Sequence, residues 1–307
     1  MSGSAALAVA GAAAANAAFA LTLAPLLDGV ERKVRARVQR RVGPPVLQTW
    51  YDLIKLYRRG FFGLRGCGPF HRAAPALAMG AAVTASAILP TVTGFGAGFA
   101  GDLIVLIYLM ASVSTITALG AASSGSPYGV VGGWREASLS MASELALAAA
   151  LAAIACGRGS LLLSSLFPAV RLGAGFRPSS VVAVAAVALV AYADGLRLPF
   201  EIPEAEEELA EGVAVEYGGA ALALLKHATL VRRLLLTSLL LNLAFPWGWA
   251  SPVVRAAAFT ASLTLESVLC SLTESVCGRG RPAYVMRLLK RVTLASGVAL
   301  IAACFGF

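Results

Sequence analysis

The sequence predicts an all-α integral membrane protein with about eight transmembrane helices and an amphipathic helix on the cytoplasmic-side surface. Three observations carry this. The 307 residues are 58% hydrophobic and only 13% charged, with a mean hydropathy of +0.78, roughly half the charge of an ordinary soluble domain. The apolar residues come in blocks of about twenty, the length that crosses a bilayer core as a helix. Alanine and leucine dominate those blocks, which favours helices over barrel strands.

The blocks predict spans near 5–27, 74–93, 102–122, 137–156, 179–196, 228–246, 253–276 and 286–305 of a single polytopic domain, 1–307. The first block contains Ala-x-Ala motifs like those of a signal peptide. It lacks a basic leading region and seven more blocks follow, so it is expected to stay as a helix. Orientation follows from the basic residues. Of the 25 lysines and arginines, 21 fall in or beside 28–73, Arg135, 197–233 and 279–291; only Arg158, Arg171, Arg177 and Arg255 fall on the other side. This asymmetry places both termini outside and the odd-numbered loops in the cytoplasm of a prokaryotic cell (plasma) membrane. The net charge of +9 therefore reads as topology and contact with anionic lipid; no basic stripe interleaved with aromatics suggests nucleic-acid binding. Cysteines introduced at positions 38 and 211 of a cysteine-free variant are expected to be shielded from an impermeant thiol reagent in intact cells. Labelling of either from outside would reverse the orientation.

The first basic loop reads Glu31-Arg32-Lys33, then Arg35, Arg37, Arg40 and Arg41, then Gly43-Pro44. Beyond that turn signal, Leu47, Trp50, Tyr51, Ile54 and Tyr57 recur at helical spacing, with Gln48, Asp52, Lys55 and Arg59 opposite. This predicts an amphipathic helix along the membrane surface. Any single arginine here is explained by the positive-inside bias; the dense cluster also suits docking of a soluble partner.

The fifth span is followed by Asp194, Arg197, Pro199-Phe200-Glu201, then Glu204, Glu206, Glu207, Glu208, Glu211 and Glu216-Tyr217-Gly218-Gly219. Half of the chain's 16 acids lie in this stretch. Crowded carboxylates raise one another's pKa, and partial burial raises it further; a cluster titrating near neutrality can hold and pass protons. The bland reading of a glutamate run is a solvated loop, but Pro199, Phe200 and Glu216-Tyr217-Gly218-Gly219 frame this one as ordered. Within the spans, Glu136 and Glu144 form one pair and Glu266 and Glu274 another. Each pair is eight residues apart, about 12 Å of helix with faces within a quarter turn. An ionisable group inside a bilayer costs roughly 3 kcal/mol or more, which makes each a functional candidate. Glu136 and Glu274 have an interfacial alternative beside Arg135 and Arg279.

The five cysteines, Cys67, Cys156, Cys270, Cys277 and Cys304, form no C-x-x-C pair and read as small packing residues. His71 and His227 are far apart in sequence and read as interfacial. No catalytic triad, phosphate loop or dinucleotide fingerprint is present, so no catalytic residue and no metal or cofactor site is expected in this chain.

These two loops resemble the family that contains subunit 1 of respiratory NADH:quinone oxidoreductase, complex I, and the anchor subunits of membrane-bound group 4 nickel–iron (NiFe) hydrogenases, including formate hydrogenlyase. The carrying residues are Glu31 to Lys33, Gly43-Pro44, Leu47-Gln48, Asp52 and Lys55-Leu56 in the first loop. In the second they are Pro199-Phe200-Glu201, Glu204, Glu206, Glu208-Leu209, Gly212 and Glu216-Tyr217. Glu201 stands where the family has aspartate and Asp194 where glutamate is usual. The likeness runs nearly end to end with the same span count.

The short gap from Gly43-Pro44 to Leu47-Gln48, the segments Gly125-Ser126-Pro127 and Arg135-Glu136-Ala137, and Glu211, Glu274, Arg279 and Arg281 resemble the hydrogenase branch. Glu31-Arg32-Lys33 and Arg197 look more like the quinone enzymes. The resemblance implies a non-catalytic subunit of an oxidoreductase complex. It would dock a soluble redox arm and link electron transfer to proton or sodium translocation. Glu136, Glu144, Asp194, Glu201, Glu204, Glu206, Glu208, Glu211, Glu216, Glu266 and Glu274 would form the ion route. Arg32, Lys33, Arg35, Arg37, Arg40, Arg41, Asp52, Lys55 and Arg197 would form the docking surface.

The implied partners are the hydrogenase large and small subunits, a ferredoxin-like iron–sulfur subunit, antiporter-like membrane subunits and lipid. The NiFe centre and iron–sulfur clusters would sit in those partners. The alternatives are a quinone-site subunit of a complex I-like enzyme and, more remotely, a stand-alone secondary transporter. The transporter reading predicts an internal repeat and broken midplane helices, and no clear repeat is visible.

Overall fold

The apolar blocks become helices that run well past the expected spans at the basic end. A computed structural model describes residues 3–61, 67–91, 102–167, 177–202, 212–245 and 252–306. Its long helices are α1 (Gly3–Val38), α3 (Pro69–Ile88), α4 (Asp102–Ala122), α5 (Pro127–Arg158), α7 (Pro178–Asp194), α8 (Gly219–Ala244), α9 (Pro252–Val276) and α10 (Pro282–Cys304). Two short ones join them, the surface helix α2 (Gln48–Arg58) and α6 (Leu163–Leu166). A 3-10 turn spans Gly212–Ala214. By length and composition, four stretches are apolar enough to cross a membrane: Leu7–Val38, Asp102–Ala122, Pro127–Arg158 and Val253–Val276; Pro178–Asp194 is apolar but shorter. α3, α8 and α10 carry arginines or lysines within their length and complete the eight expected spans.

Local sequence sets the helix ends. Proline stands at the first positions of α3, α5, α7 and α10, where its fixed φ suits a helix start and its missing N–H costs nothing. α5 ends on Gly159 in the left-handed region, at φ 66°, a common helix stop.

α8 is the central element, packed against α1, α2, α3, α4, α7 and α9, while α5 packs on α4, α7 and α10. Small residues allow the close approach typical of membrane bundles: Ala78, Ala82 and Ala85 of α3 are fully buried in the same core as Ala228, Leu235, Leu236 and Leu239 of α8. Several contacts need a glycine, and two of them position the segments around the site. A Cβ on Gly29 would lie 1.8 Å from the Val46 carbonyl oxygen, and one on Gly132 would lie 2.7–2.9 Å from the backbone at Gly212 and Val213. The first lets the segment before α2 lie on α1; the second seats the 3-10 turn on α5. Large apolar side chains such as Trp134, Leu145, Leu265, Leu294 and Ile301 remain exposed on the outside of the bundle, as a lipid-facing surface requires.

The surface helix sits where expected, and its apolar residues divide between the outside and the bundle. Leu47, Tyr51, Ile54 and Tyr57 are 36–55% exposed, whereas Thr49 and Leu53 are buried. Leu47, Tyr51 and Ile54 therefore face the surrounding medium, Trp50 and Tyr57 turn toward α1 and α8, and Asp52, Lys55 and Arg59 border a cavity. The physical reason is a set of polar contacts from α1 and α8. Thr49 donates to Asp28 at 2.7 Å, the Trp50 indole donates to the Thr22 carbonyl at 3.3 Å, and the Tyr57 hydroxyl meets His227 Nδ1 at 3.2 Å. Burial pushes the Tyr57 phenol above its usual pKa. At the end of the helix, Ala220 N–H donates to the Gly60 carbonyl at 2.8 Å.

Candidate functional site

The extra turns of α1, together with α8 and α9, bring charged side chains together below the surface helix. Glu31 of α1 is 2% exposed and Arg197, just after α7, is 1% exposed. The turn 194–197 aims Arg197 inward, with Leu196 in the left-handed region at φ 51°. Arg197 Nη2 donates to Glu31 Oε1 at 2.5 Å and Nη1 to Glu266 Oε1 of α9 at 3.3 Å. Arg233 of α8 reaches Glu31 Oε2 at 3.3 Å and Asp28 at 3.7 Å. Arg32 then joins Asp28, 3.0 Å, to Asp52 of the surface helix, 3.6 Å. Beside this chain, Arg35 pairs with buried Glu274 of α9 at 2.7 Å. Such charges persist in an interior only when paired and hydrogen-bonded. Burial alone would lower the Arg197 pKa, but Glu31 and Glu266 more than offset it and hold the guanidinium charged.

One residue before Arg233, Arg232 carries the network deeper. It pairs with Asp194 at the end of α7, and Asp194 also accepts from Ser143 of α5 at 2.9 Å. One residue further along α5, Glu144 accepts from Ser140 at 2.6 Å and from Ser114 of α4 at 3.0 Å, within electrostatic reach of both Arg232 and Asp194. Buried Glu136, two turns away on α5, lines a small cavity with Thr117, Lys226 and Thr229.

A cavity of about 670 Å³ opens over this network. Asp28, Arg32, Arg35, Asp52, Glu201, Arg233 and Glu274 line it, with Leu53, Leu56, Leu196, Leu222 and Leu230 between them. Leu196, Leu222, Lys226 and Thr229 border both cavities. Glu144 lines neither cavity and lies beyond them, between Ser114 and Ser140.

The structure brings together Glu136, Glu144, Asp194, Glu201, Glu266 and Glu274 from the expected ion route. Glu201 sits at the cavity rim, paired with Arg279 at 3.3 Å. Glu216 is half-buried beside Tyr217. Tyr217 is itself buried and stacked on His71 with ring centroids 4.1 Å apart, and burial pushes its phenol well above the usual range. Glu204, Glu206, Glu208 and Glu211 lie outside the described residues.

The expected docking set divides. Arg37, Arg40 and Arg41 are exposed and Lys33 is half-buried. Arg197 is a buried counterion and no part of a surface, because Glu31 and Glu266 enclose it. Arg32, Arg35, Asp52 and Lys55 face the cavity.

Both histidines are buried. His71 is fully buried with Nδ1 2.7 Å from the Gly120 carbonyl, and His227 bridges Tyr57 and the Leu21 carbonyl. Not all cysteines pack inside: Cys156, Cys277 and Cys304 are exposed, and Cys270 donates to Glu266 at 2.9 Å. Among the described residues no group of three or more His, Cys, Asp or Glu is placed to hold a metal ion.

Sequence reasoning had Glu31 only as part of a motif, and Asp28, Arg232 and Arg233 not as site residues at all. The adjacent arginines carried a usable signal, since Leu-Val-Arg-Arg-Leu-Leu-Leu puts two charges inside an apolar run that must find partners.

The profile of the NADH dehydrogenase family matches residues 11–305. The chain is 33% identical over 278 residues to hydrogenase-4 component C of Escherichia coli K12, covering 88% of each chain. It is 33% identical over 262 residues to formate hydrogenlyase subunit 4 of the same organism, covering 83% of this chain and 82% of that one. NADH-quinone oxidoreductase subunit 8 of Rhodothermus marinus is 32% identical over 212 residues, 65% of this chain and 62% of that one. Among solved structures, a chain of an archaeal respiratory membrane complex, the membrane-bound sulfane sulfur reductase, has the same fold. Its TM-score is 0.80 at 24% identity, over 96% of this chain and 99% of that one.

Proposed function

The chain belongs to the NADH dehydrogenase family, and from that membership and the buried charge network we propose that it is the membrane-anchor and coupling subunit of a membrane-bound NiFe-hydrogenase-type complex. The observation that carries the coupling role is the run of charged pairs that starts at half-exposed Asp52 and Arg32, becomes buried at Glu31 and Arg197, and continues past Arg233 and Arg232 to Asp194, with Glu144 nearby. No hydrophobic core needs such a run, because replacing paired buried charges by apolar residues is often neutral or stabilising. Its extent therefore argues for a role in moving or sensing charge.

Redox centres held by partner subunits would change the field at the cavity. Arg32 and Arg233 share Asp28, and Arg233 and Arg197 share Glu31, so these pairs can be rearranged by such a field without leaving a charge bare. A shift of Arg233 toward Asp28 would loosen Glu31; a matching shift of Arg232 would loosen Asp194 and alter the proton affinity of Glu144 nearby. Ser114, Ser140 and Ser143 supply hydroxyls that can rotate to pass a proton between these groups. Protons, or sodium, would then leave toward antiporter-like partner subunits in the membrane. The exposed Arg37, Arg40 and Arg41 would hold the soluble arm on the cytoplasmic face.

A second reading, quinone reduction at this cavity, is favoured by its position at the membrane surface between α2 and α8. Its lining argues the other way: arginines and carboxylates alternate around it, whereas small-molecule pockets are mostly apolar with few polar groups.

The test is what the chain carries out of the membrane. After mild detergent extraction it is expected to copurify with a nickel- and iron-containing arm that evolves hydrogen. Reversal of Arg37, Arg40 and Arg41 to glutamate is expected to release that arm while the chain stays inserted. Copurification of flavin and bound quinone instead assigns the chain to the quinone branch. Retention of the arm at normal stoichiometry in the reversed variant reduces the arginine cluster to a topology signal.

A further inference from the structure

We propose that Cys156 and Cys304 form an intramolecular disulfide at the outer face of the membrane, tying the last turn of α5 to the end of α10. The two residues are 148 positions apart in the chain, yet their sulfurs lie 3.4 Å from each other, and both side chains are exposed. α5 and α10 pack along one another, so the contact belongs to an extended helix pair and not to a chance meeting of loops. Small side-chain rotations close the remaining gap to a bond of about 2.05 Å.

Position supplies the second argument. Cys156 stands two residues before Arg158 and the Gly159 stop of α5, and Cys304 is the last residue of α10. Both helices enter the bundle from the basic end, α5 near Arg135 and α10 just after Arg279 and Arg281, so both cysteines emerge at the opposite, basic-poor end. Cys270, by contrast, lies within the bundle, and Cys67 and Cys277 lie at the basic end. The basic-poor end faces the oxidising compartment under the positive-inside rule, and disulfides persist in such compartments.

Formation needs an external disulfide as oxidant, such as a thiol–disulfide oxidoreductase. A thiolate on one cysteine attacks that disulfide, releasing one thiol. The second cysteine then attacks the mixed disulfide and releases the other. Cys156 and Cys304 lose two electrons and two protons, and the oxidant leaves as two thiols. The bond would hold α10 in register with α5, the helix that carries Glu136 and Glu144, at the end remote from the charge network.

The test counts free thiols in the full chain as it sits in cells. Cells are acid-quenched, and the protein is denatured in detergent and treated with a maleimide–polyethylene glycol reagent that adds one gel step per thiol. The chain has five cysteines. Three adducts before reduction and five after are expected. Cys156→Ser and Cys304→Ser should each give four adducts under both conditions. Five adducts in unreduced wild-type samples overturn the proposal. So does a disulfide-linked dimer, or a Cys156→Ser/Cys304→Ser double variant that gives fewer than three adducts before reduction.

Discussion

Arg197→Met is expected to destabilise the bundle more than any other single change in the charge network. Among the described residues, Arg197 is the only guanidinium that touches both Glu31 and Glu266. Methionine keeps much of its length but none of its charge or donors. Glu31 would keep Arg233 at 3.3 Å, while Glu266 would keep only the Cys270 thiol as a described neighbour. Breaking a buried pair by removing one partner costs roughly 3–5 kcal/mol, because the remaining charge stays uncompensated. For a chain of this size that corresponds to a fall in melting temperature of roughly 10 °C. Arg197→Lys should lie between, since it keeps the charge but not the fork that reaches two carboxylates. The measurement is thermal unfolding of the purified chain in detergent. Neutralising the partners as well, Glu31→Gln with Glu266→Gln in the Arg197→Met background, should recover part of the loss. A melting temperature for Arg197→Met within about 1 °C of wild type would show that the triad is not a structural ion cluster.

The spans were legible because membrane insertion imposes a length and a composition that no other role in the chain shares. Their ends were not. α1 runs to Val38 where the sequence suggested 27, α5 starts at Pro127 where it suggested 137, and α8 starts at Gly219 where it suggested 228. All three extensions lie at the basic end. Hydropathy reads Glu31, Arg35 and Lys226 as loop residues; the fold keeps them helical because each face finds an opposite charge or the cavity. The same blindness hid the inward turn of Arg197. Nothing in Gly195-Leu196-Arg197-Leu198 says which side chain is enclosed, since that depends on Glu31, 166 positions away. The intramembrane carboxylates could be picked out as candidates by their cost in lipid, but of their arginine partners Arg35 and Arg197 were expected at a docking surface and Arg232 was counted only toward topology. In α2 the amphipathic surface helix was legible from its pattern, but the polar cavity beneath it was not, because Asp28, Arg233 and Glu274 reach it from distant parts of the chain.

Glu144→Gln is expected to separate redox turnover from ion movement. Glu144 sits in the interior of α5, held by Ser140 at 2.6 Å and Ser114 at 3.0 Å, and glutamine can keep both as donors to its carbonyl oxygen. It cannot ionise. Folding should therefore be nearly unchanged, with a melting temperature close to wild type, while any step that needs Glu144 to gain or lose charge is blocked. In membrane vesicles holding the assembled complex, ion translocation is expected to fall tenfold or more, since roughly 1.4 kcal/mol on a barrier is a factor of ten. Dye-linked turnover by the soluble arm should persist. Glu201→Gln provides the contrast. Its carboxylate is 30% exposed and paired with Arg279 at the cavity rim, where solvent screens the pair and its loss matters little. It should retain most of the pumping. Glu136→Gln combined with Glu144→Gln removes both carboxylates of α5 and should abolish what the single change leaves. Normal pumping in Glu144→Gln and in the double variant, with turnover also normal, would remove these carboxylates from the ion route and leave the charge network as a scaffold for the docked arm.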